Sequence, residues 1–183
     1  MADRLEPDAW INAGLRALRS GGVEAVRVEK LAATLGVTKG SFYWHFKDRP
    51  ALLQALLQGW RERATSSVIA AVEEGGGDAR LLLRRLLAIV TADDGRLERA
   101  IRAWGDADPA VGRAVAKIDQ ERMAYVEALF RKLGFGERVA RDRARFAYQA
   151  LVGQYALSRR VRSADEREHR IELDEIVAML LAR

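Results

Sequence analysis

Apolar residues recur at helical spacing along nearly the whole chain, and no stretch alternates apolar with polar in the manner of a half-buried strand, so the pattern predicts an all-α fold. Pro7 to Ser20 is the first predicted helix, with proline near its first position, Ile11, Leu15 and Leu18 on one face, and Gly21-Gly22 to stop it. A shorter second helix places Val28, Leu31, Ala32 and Leu35 at i, i+3, i+4 and i+7 and ends at Gly36, a residue that takes the left-handed conformation without Cβ strain. Thr38 then offers a side-chain oxygen to the free amides of a third helix, which starts near Lys39 and carries Phe42 and Phe46 four apart on one face. Asp48 is placed to cap a fourth, whose pattern Leu52, Leu53, Leu56, Leu57, Trp60 continues to about Val72 and stops at Glu73-Glu74-Gly75-Gly76-Gly77.

Asp78 opens a fifth helix, about Ala79 to Thr91; after the break Ala92-Asp93-Asp94-Gly95 a sixth runs from about Arg96 to Trp104. In Gly105-Asp106-Ala107-Asp108-Pro109 the glycine ends one helix, Asp108 caps the next and Pro109 opens it. The seventh reaches Leu133, with Val111, Val115, Ile118, Arg122, Tyr125, Val126, Leu129 and Phe130 near its apolar stripe. The eighth spans about Glu137 to Arg162 and the ninth about Asp165 to Leu181. Small residues on one side of the eighth (Ala147, Ala150, Gly153) let another helix come close, and the last two helices of a second copy would complete a four-helix bundle. The competing reading uses both helices up in the chain's own core.

Two helices joined by a short turn containing glycine, from Val28 to Phe46, form a helix-turn-helix, whose second helix can lie in the major groove. Eight residues at roughly 1.5 Å each span about 12 Å, the width of that groove. Lys39 brings an ammonium, Ser41 and Tyr43 hydroxyls, His45 an imidazole, and Gly40 lets backbone approach; Trp44 adds apolar contact. Phe42 and Phe46 share a face and belong to the core, whereas Tyr43 and Trp44 point elsewhere. Thr38 sits at the helix start, Lys47 and Arg49 beside the amide-rich start of the fourth helix suit phosphates, and Arg27 either reaches a phosphate or is simply solvated.

The run from Gly21 through Leu53 resembles the amino-terminal DNA-binding domain of the tetracycline-repressor (TetR) family of bacterial transcription regulators. The resemblance rests on Gly21, Leu35-Gly36-Val37, Gly40-Ser41-Phe42-Tyr43-Trp44-His45-Phe46, Lys47-Asp48-Arg49 and Leu52-Leu53, in that order and spacing. Pro50 departs from the family pattern, at a position in a helix's first turn where proline is tolerated. The resemblance implies a DNA-binding domain over residues 1–50 and a helical effector-binding and dimerisation domain over 51–183. It implies a homodimer through the eighth and ninth helices, reading a palindromic double-stranded operator. It also implies a small-molecule effector, whose pocket would draw on bulky groups of the fourth to eighth helices: Trp60, Leu83, Leu87, Trp104, Met123, Phe146, Gln149 and Tyr155. Taken singly, each suits core packing better than a pocket. An apolar lining would suit a hydrophobic or aromatic effector.

Composition narrows the classes further. The chain has 183 residues, no cysteine and two histidines, His45 and His169, far apart, so disulfide and thiolate-metal sites are excluded and a zinc site or other cofactor is not expected. A formal charge of +5 favours a polyanionic partner. MADRLEPDAW lacks the apolar core of a signal peptide and no run approaches a membrane span, so a soluble, cytoplasmic protein is expected, and the family resemblance implies a bacterial one. No Gly-x-Ser-x-Gly elbow, His-Glu-x-x-His or cysteine nucleophile is present and the triglycine lacks phosphate-cradle spacing, so the chain does not read as an enzyme. Three readings remain: a ligand-responsive repressor; a small-molecule-binding or scaffold protein whose helix-turn-helix is only structural; and a non-specific basic coat for DNA, which would need only lysine and arginine.

Overall fold

A computed structural model describes residues 6–157 and 173–182. Among them the regular structure is helical: α1 (Pro7–Gly21), α2 (Val28–Leu35), α3 (Lys39–Tyr43), α4 (Arg49–Arg61), α5 (Ser67–Glu74), α6 (Ala79–Ala92), α7 (Arg96–Ala107), α8 (Pro109–Lys132), α9 (Glu137–Leu157) and α10 (Leu173–Leu181). The capping aspartates act as the sequence implies. Asp48 accepts from the Ala51 amide at 2.8 Å, Asp78 from Leu81 at 2.9 Å, and Asp108 from Ala110 at 2.9 Å. Residues 158–172, where the eighth and ninth predicted helices were expected to meet, lie outside the described residues, as does His169. No helix among the described residues is long and apolar enough to cross a membrane.

The expected fourth helix is α4 and α5 joined by a π-helical turn, Glu62–Ser66. Thr65 of that turn is buried, and its hydroxyl accepts from Arg122 Nε at 2.9 Å, which meets the requirement that a buried polar group find a partner. Hydrophobic spacing does not register a turn that adds one residue between two helical stretches.

The chain divides into two compact units. The first gathers the described residues of Met1–Ala64 with Arg96–Val115. In it α1 packs against α2, α4 and α7, and the interior holds Trp10, Leu15, Leu18, Val26, Leu31, Phe42, Leu52, Leu56, Trp60, Ile101 and Trp104. The domain boundary expected after residue 50 falls inside α4, and α7 joins this unit from far along the chain, which a linear reading does not anticipate.

The second unit gathers Thr65–Gly95 with the described part of Ala116–Arg183. Its core is Val72, Leu82, Leu83, Leu86, Val126, Leu129, Phe130, Ala140 and Ala144. Arg143 lies 4.4 Å over the Phe135 ring and donates to the carbonyls of Leu180 and Ala182, satisfying the end of α10. Gly95 is buried with φ +64°, and the Tyr155 ring packs on it while the Tyr155 hydroxyl donates to the Val90 carbonyl at 2.6 Å.

Candidate nucleic-acid interface

The second helix of the helix-turn-helix is positioned from below by rings. Phe42 is fully buried, edge-on to Trp10 at 5.3 Å, stacked on Phe46 at 5.5 Å and edge-on to Tyr43 at 5.2 Å. Trp10, outside the apolar face expected for the first helix, is wholly buried, and Ile11, expected on that face, is only half-buried. The signal was present: Trp10 and Leu18 stand i, i+8 apart on one side of α1. Above the turn, Gly36 has φ +68° and ψ +27°, and the Val37 amide closes α2 by donating to the Ala32 carbonyl at 3.0 Å.

With one face pinned, the opposite face is open. Tyr43 is 55% and Trp44 74% exposed, although both are large aromatics. Thr38, Lys39, Gly40 and Lys47 are exposed beside them, and Ser41 and His45 are half-buried. The regular helix stops at Tyr43, short of the expected octapeptide; the amides of His45 and Phe46 both donate to the Phe42 carbonyl at 3.0 Å, so the chain tightens there. Thr38 holds the N-cap position with extended backbone, yet its hydroxyl makes no capping bond, contrary to expectation.

Two expected phosphate contacts are engaged with the protein itself. Arg49 donates from Nε to the Val26 carbonyl and from Nη2 to that of Val23, each at 2.7 Å, so its guanidinium braces the turn Val23–Ala25 against α4. Arg27 is exposed and its Nε donates to the Glu24 carbonyl at 3.1 Å. Lys39 Nζ donates to Glu29 Oε1 at 2.5 Å. That bond, the largest cause for both groups, holds the Glu29 carboxyl below the usual carboxylate range and the Lys39 ammonium above the usual lysine range.

The residues named for an effector are divided between the two compact units. Trp60 and Trp104 are buried in the first unit; Leu83, Leu87, Met123 and Tyr155 belong to the second, where Leu83 is core and Tyr155 braces Gly95. Phe146, 68% exposed, and Gln149, also exposed, stand on the outer side of α9, because the inward side is taken by Ala140, Ala144 and Tyr148. The second unit also holds a polar cluster that hydrophobic periodicity does not signal. Tyr148 donates to Asp119 Oδ1 at 2.7 Å, and Arg122 donates from Nη1 to the Tyr148 hydroxyl at 3.2 Å and from Nε to Thr65. Burial, foremost, pushes the Tyr148 phenol up to about 12. Among the described residues no group of three histidine, aspartate or glutamate side chains is placed to hold a metal ion.

Comparison with known proteins agrees with this geometry. The family model described as "Bacterial regulatory proteins, tetR family" matches residues 11–56. The tetracycline repressor protein class A from transposon 1721 of Escherichia coli is 41% identical over 66 residues, 36% of this chain and 31% of that protein. The HTH-type transcriptional regulator TtgR of Pseudomonas putida is 40% identical over 52 residues, 28% of this chain and 25% of that protein. The chain thus spans about a third or less of the length of the curated relatives it matches. Over the whole chain the likeness is one of fold: a transcriptional regulator from Rhodococcus sp. Rha1 aligns with TM-score 0.76 at 17% identity, covering 96% of this chain and 94% of that one. A regulator of the TetR/AcrR family from Thermobifida fusca aligns with TM-score 0.56 at 21% identity over 95% and 93%.

Proposed function

We propose that this chain, whose residues 11–56 match the model of the tetR family of bacterial regulatory proteins, is a homodimeric, ligand-responsive transcriptional repressor of that family. The observation that carries the reading is the outward surface of α3 and the turn after it: two aromatic rings, Tyr43 and Trp44, left open to solvent between Lys39 and Lys47, on a segment whose other face is locked by Phe42. Large rings left this exposed cost solubility, and in a duplex groove they meet base edges and thymine methyls. Phosphate contacts come from Lys47, with Thr38 and the α3 backbone beside Gly40, more than from Arg49, whose Nε and Nη2 already donate to backbone carbonyls.

One short helix reads few base pairs, and each mismatch is worth only about 1–3 kcal/mol, so two copies are needed. Phe146 at 68% and Leu157 at 63% exposure on α9, with Ala150 beside them, and Met179 at 61% on α10 offer the apolar surface that a second copy would cover. The operator is then close to a palindrome, with reading helices about 34–36 Å apart or somewhat more. A small hydrophobic effector, taken up by the helical body among groups such as Leu87 and Met123, releases DNA only by as much as it prefers the non-binding state.

Tyr43→Ala is the test. In a salt-controlled anisotropy titration against duplex selected from a random pool, binding weakens about tenfold or more while helicity and dimerisation stay unchanged. Unchanged affinity refutes the reading and leaves the helix-turn-helix a structural element.

A further inference from the structure

Glu29, in the first turn of α2, is a carboxylate within 2.5 Å of the ammonium that opens the reading helix. Both partners are open to solvent, Glu29 at 65% and Lys39 at 51%. A negative charge there opposes any duplex, since every sequence presents the same phosphates. It becomes favourable only where the duplex itself donates a hydrogen bond, and in the major groove an exocyclic amino group does so: cytosine N4 is the donor that glutamate accepts from. Lys39 in turn donates to guanine O6 and N7. Together the pair is neutral, one acceptor beside one donor.

We propose that Glu29 is a specificity-determining residue of the DNA-reading surface: it withholds Lys39 from phosphate and releases it to guanine where a neighbouring cytosine N4 occupies the carboxylate. The inference rests on the DNA-reading function proposed above. A glutamate in a helix's first turn also favours the positive helix end, but that role is local and does not distinguish one duplex from another.

The experiment compares wild type with Glu29→Gln on two duplexes: the sequence that the wild-type protein selects from a random pool, and a shuffled duplex of equal length and composition. With the carboxylate gone, Lys39 adds one phosphate contact on any sequence. Affinity for the shuffled duplex rises, its dependence on log salt steepens by about 0.9, and the selected-to-shuffled ratio falls about tenfold. In a Lys39→Ala background the same change leaves the salt dependence where Lys39→Ala alone puts it. Equal weakening on both duplexes, or an unchanged ratio and slope, overturns the role given to Glu29 while the DNA-reading function stands. A wild-type protein that selects no sequence removes the DNA-reading function, and this inference with it.

Discussion

Replacing Arg49 with methionine separates two roles that its position would allow. The substitution keeps the apolar stem and deletes the guanidinium that bonds the Val23 and Val26 carbonyls, each at 2.7 Å. Losing a charged donor to a carbonyl costs about 1.5–3 kcal/mol where the acceptor stays dry. Arg49 is only half-buried, so water recovers part of both bonds and the expected loss is about 2 kcal/mol in total. With a urea m-value of about 2 kcal/mol/M the midpoint falls by about 1 M. Tryptophan emission is the assay suited to this, because Trp10, Trp44, Trp60 and Trp104 all belong to the first compact unit and report on it alone. Duplex binding, measured on the folded protein, keeps its salt dependence. An unmoved midpoint together with a slope shallower by about 0.9 would refute the argument, since it would mean that the guanidinium spends its charge on phosphate.

Gly95→Ala forces a left-handed residue to carry a methyl that would lie 2.4 Å from Tyr155 Cδ1. Strain and overpacking together cost about 3 kcal/mol by denaturation followed at 222 nm, and a loss under about 1 kcal/mol would contradict the packing described. Phe146→Asp leaves circular dichroism unchanged, because the ring is exposed, and converts the proposed dimer to monomers in sedimentation; a persistent dimer would place the interface elsewhere. Tyr148, held neutral with its phenol near 12, stabilises the fold below about pH 10; between about 10 and 12 the unfolded chain releases a proton that the folded one keeps, so stability declines with rising pH. Tyr148→Phe removes that share of the alkaline loss, and an identical pH profile in the variant would count against it.

Much of the fold could be read without coordinates. Asp48, Asp78 and Asp108 cap the helices they precede, Gly36 closes α2 in the left-handed conformation, and the division of Phe42 and Phe46 from Tyr43 and Trp44 follows from their angular spacing. These are local rules, acting within a turn or two of chain, and they carry the all-α class and the order of helices. The turn Glu62–Ser66 was not readable because the bond from Arg122 to Thr65 joins positions far apart in sequence.

The candidate interface divides in the same way. Sequence determined which residue types surround α3 and that one face must be sunk, since periodicity is a property of the chain alone. Only the tertiary structure decided which cations remain open to a polyanion. Arg49 and Lys47 look interchangeable two positions apart, yet the guanidinium meets two carbonyls from more than twenty residues earlier while Lys47 stays exposed. Lys39 likewise carries its charge in the sequence but shares it with Glu29 in the fold. Hydrogen bonds of that kind depend on where distant segments converge, and convergence is set by packing around Trp10 and Phe42 rather than by the residues that make the bonds.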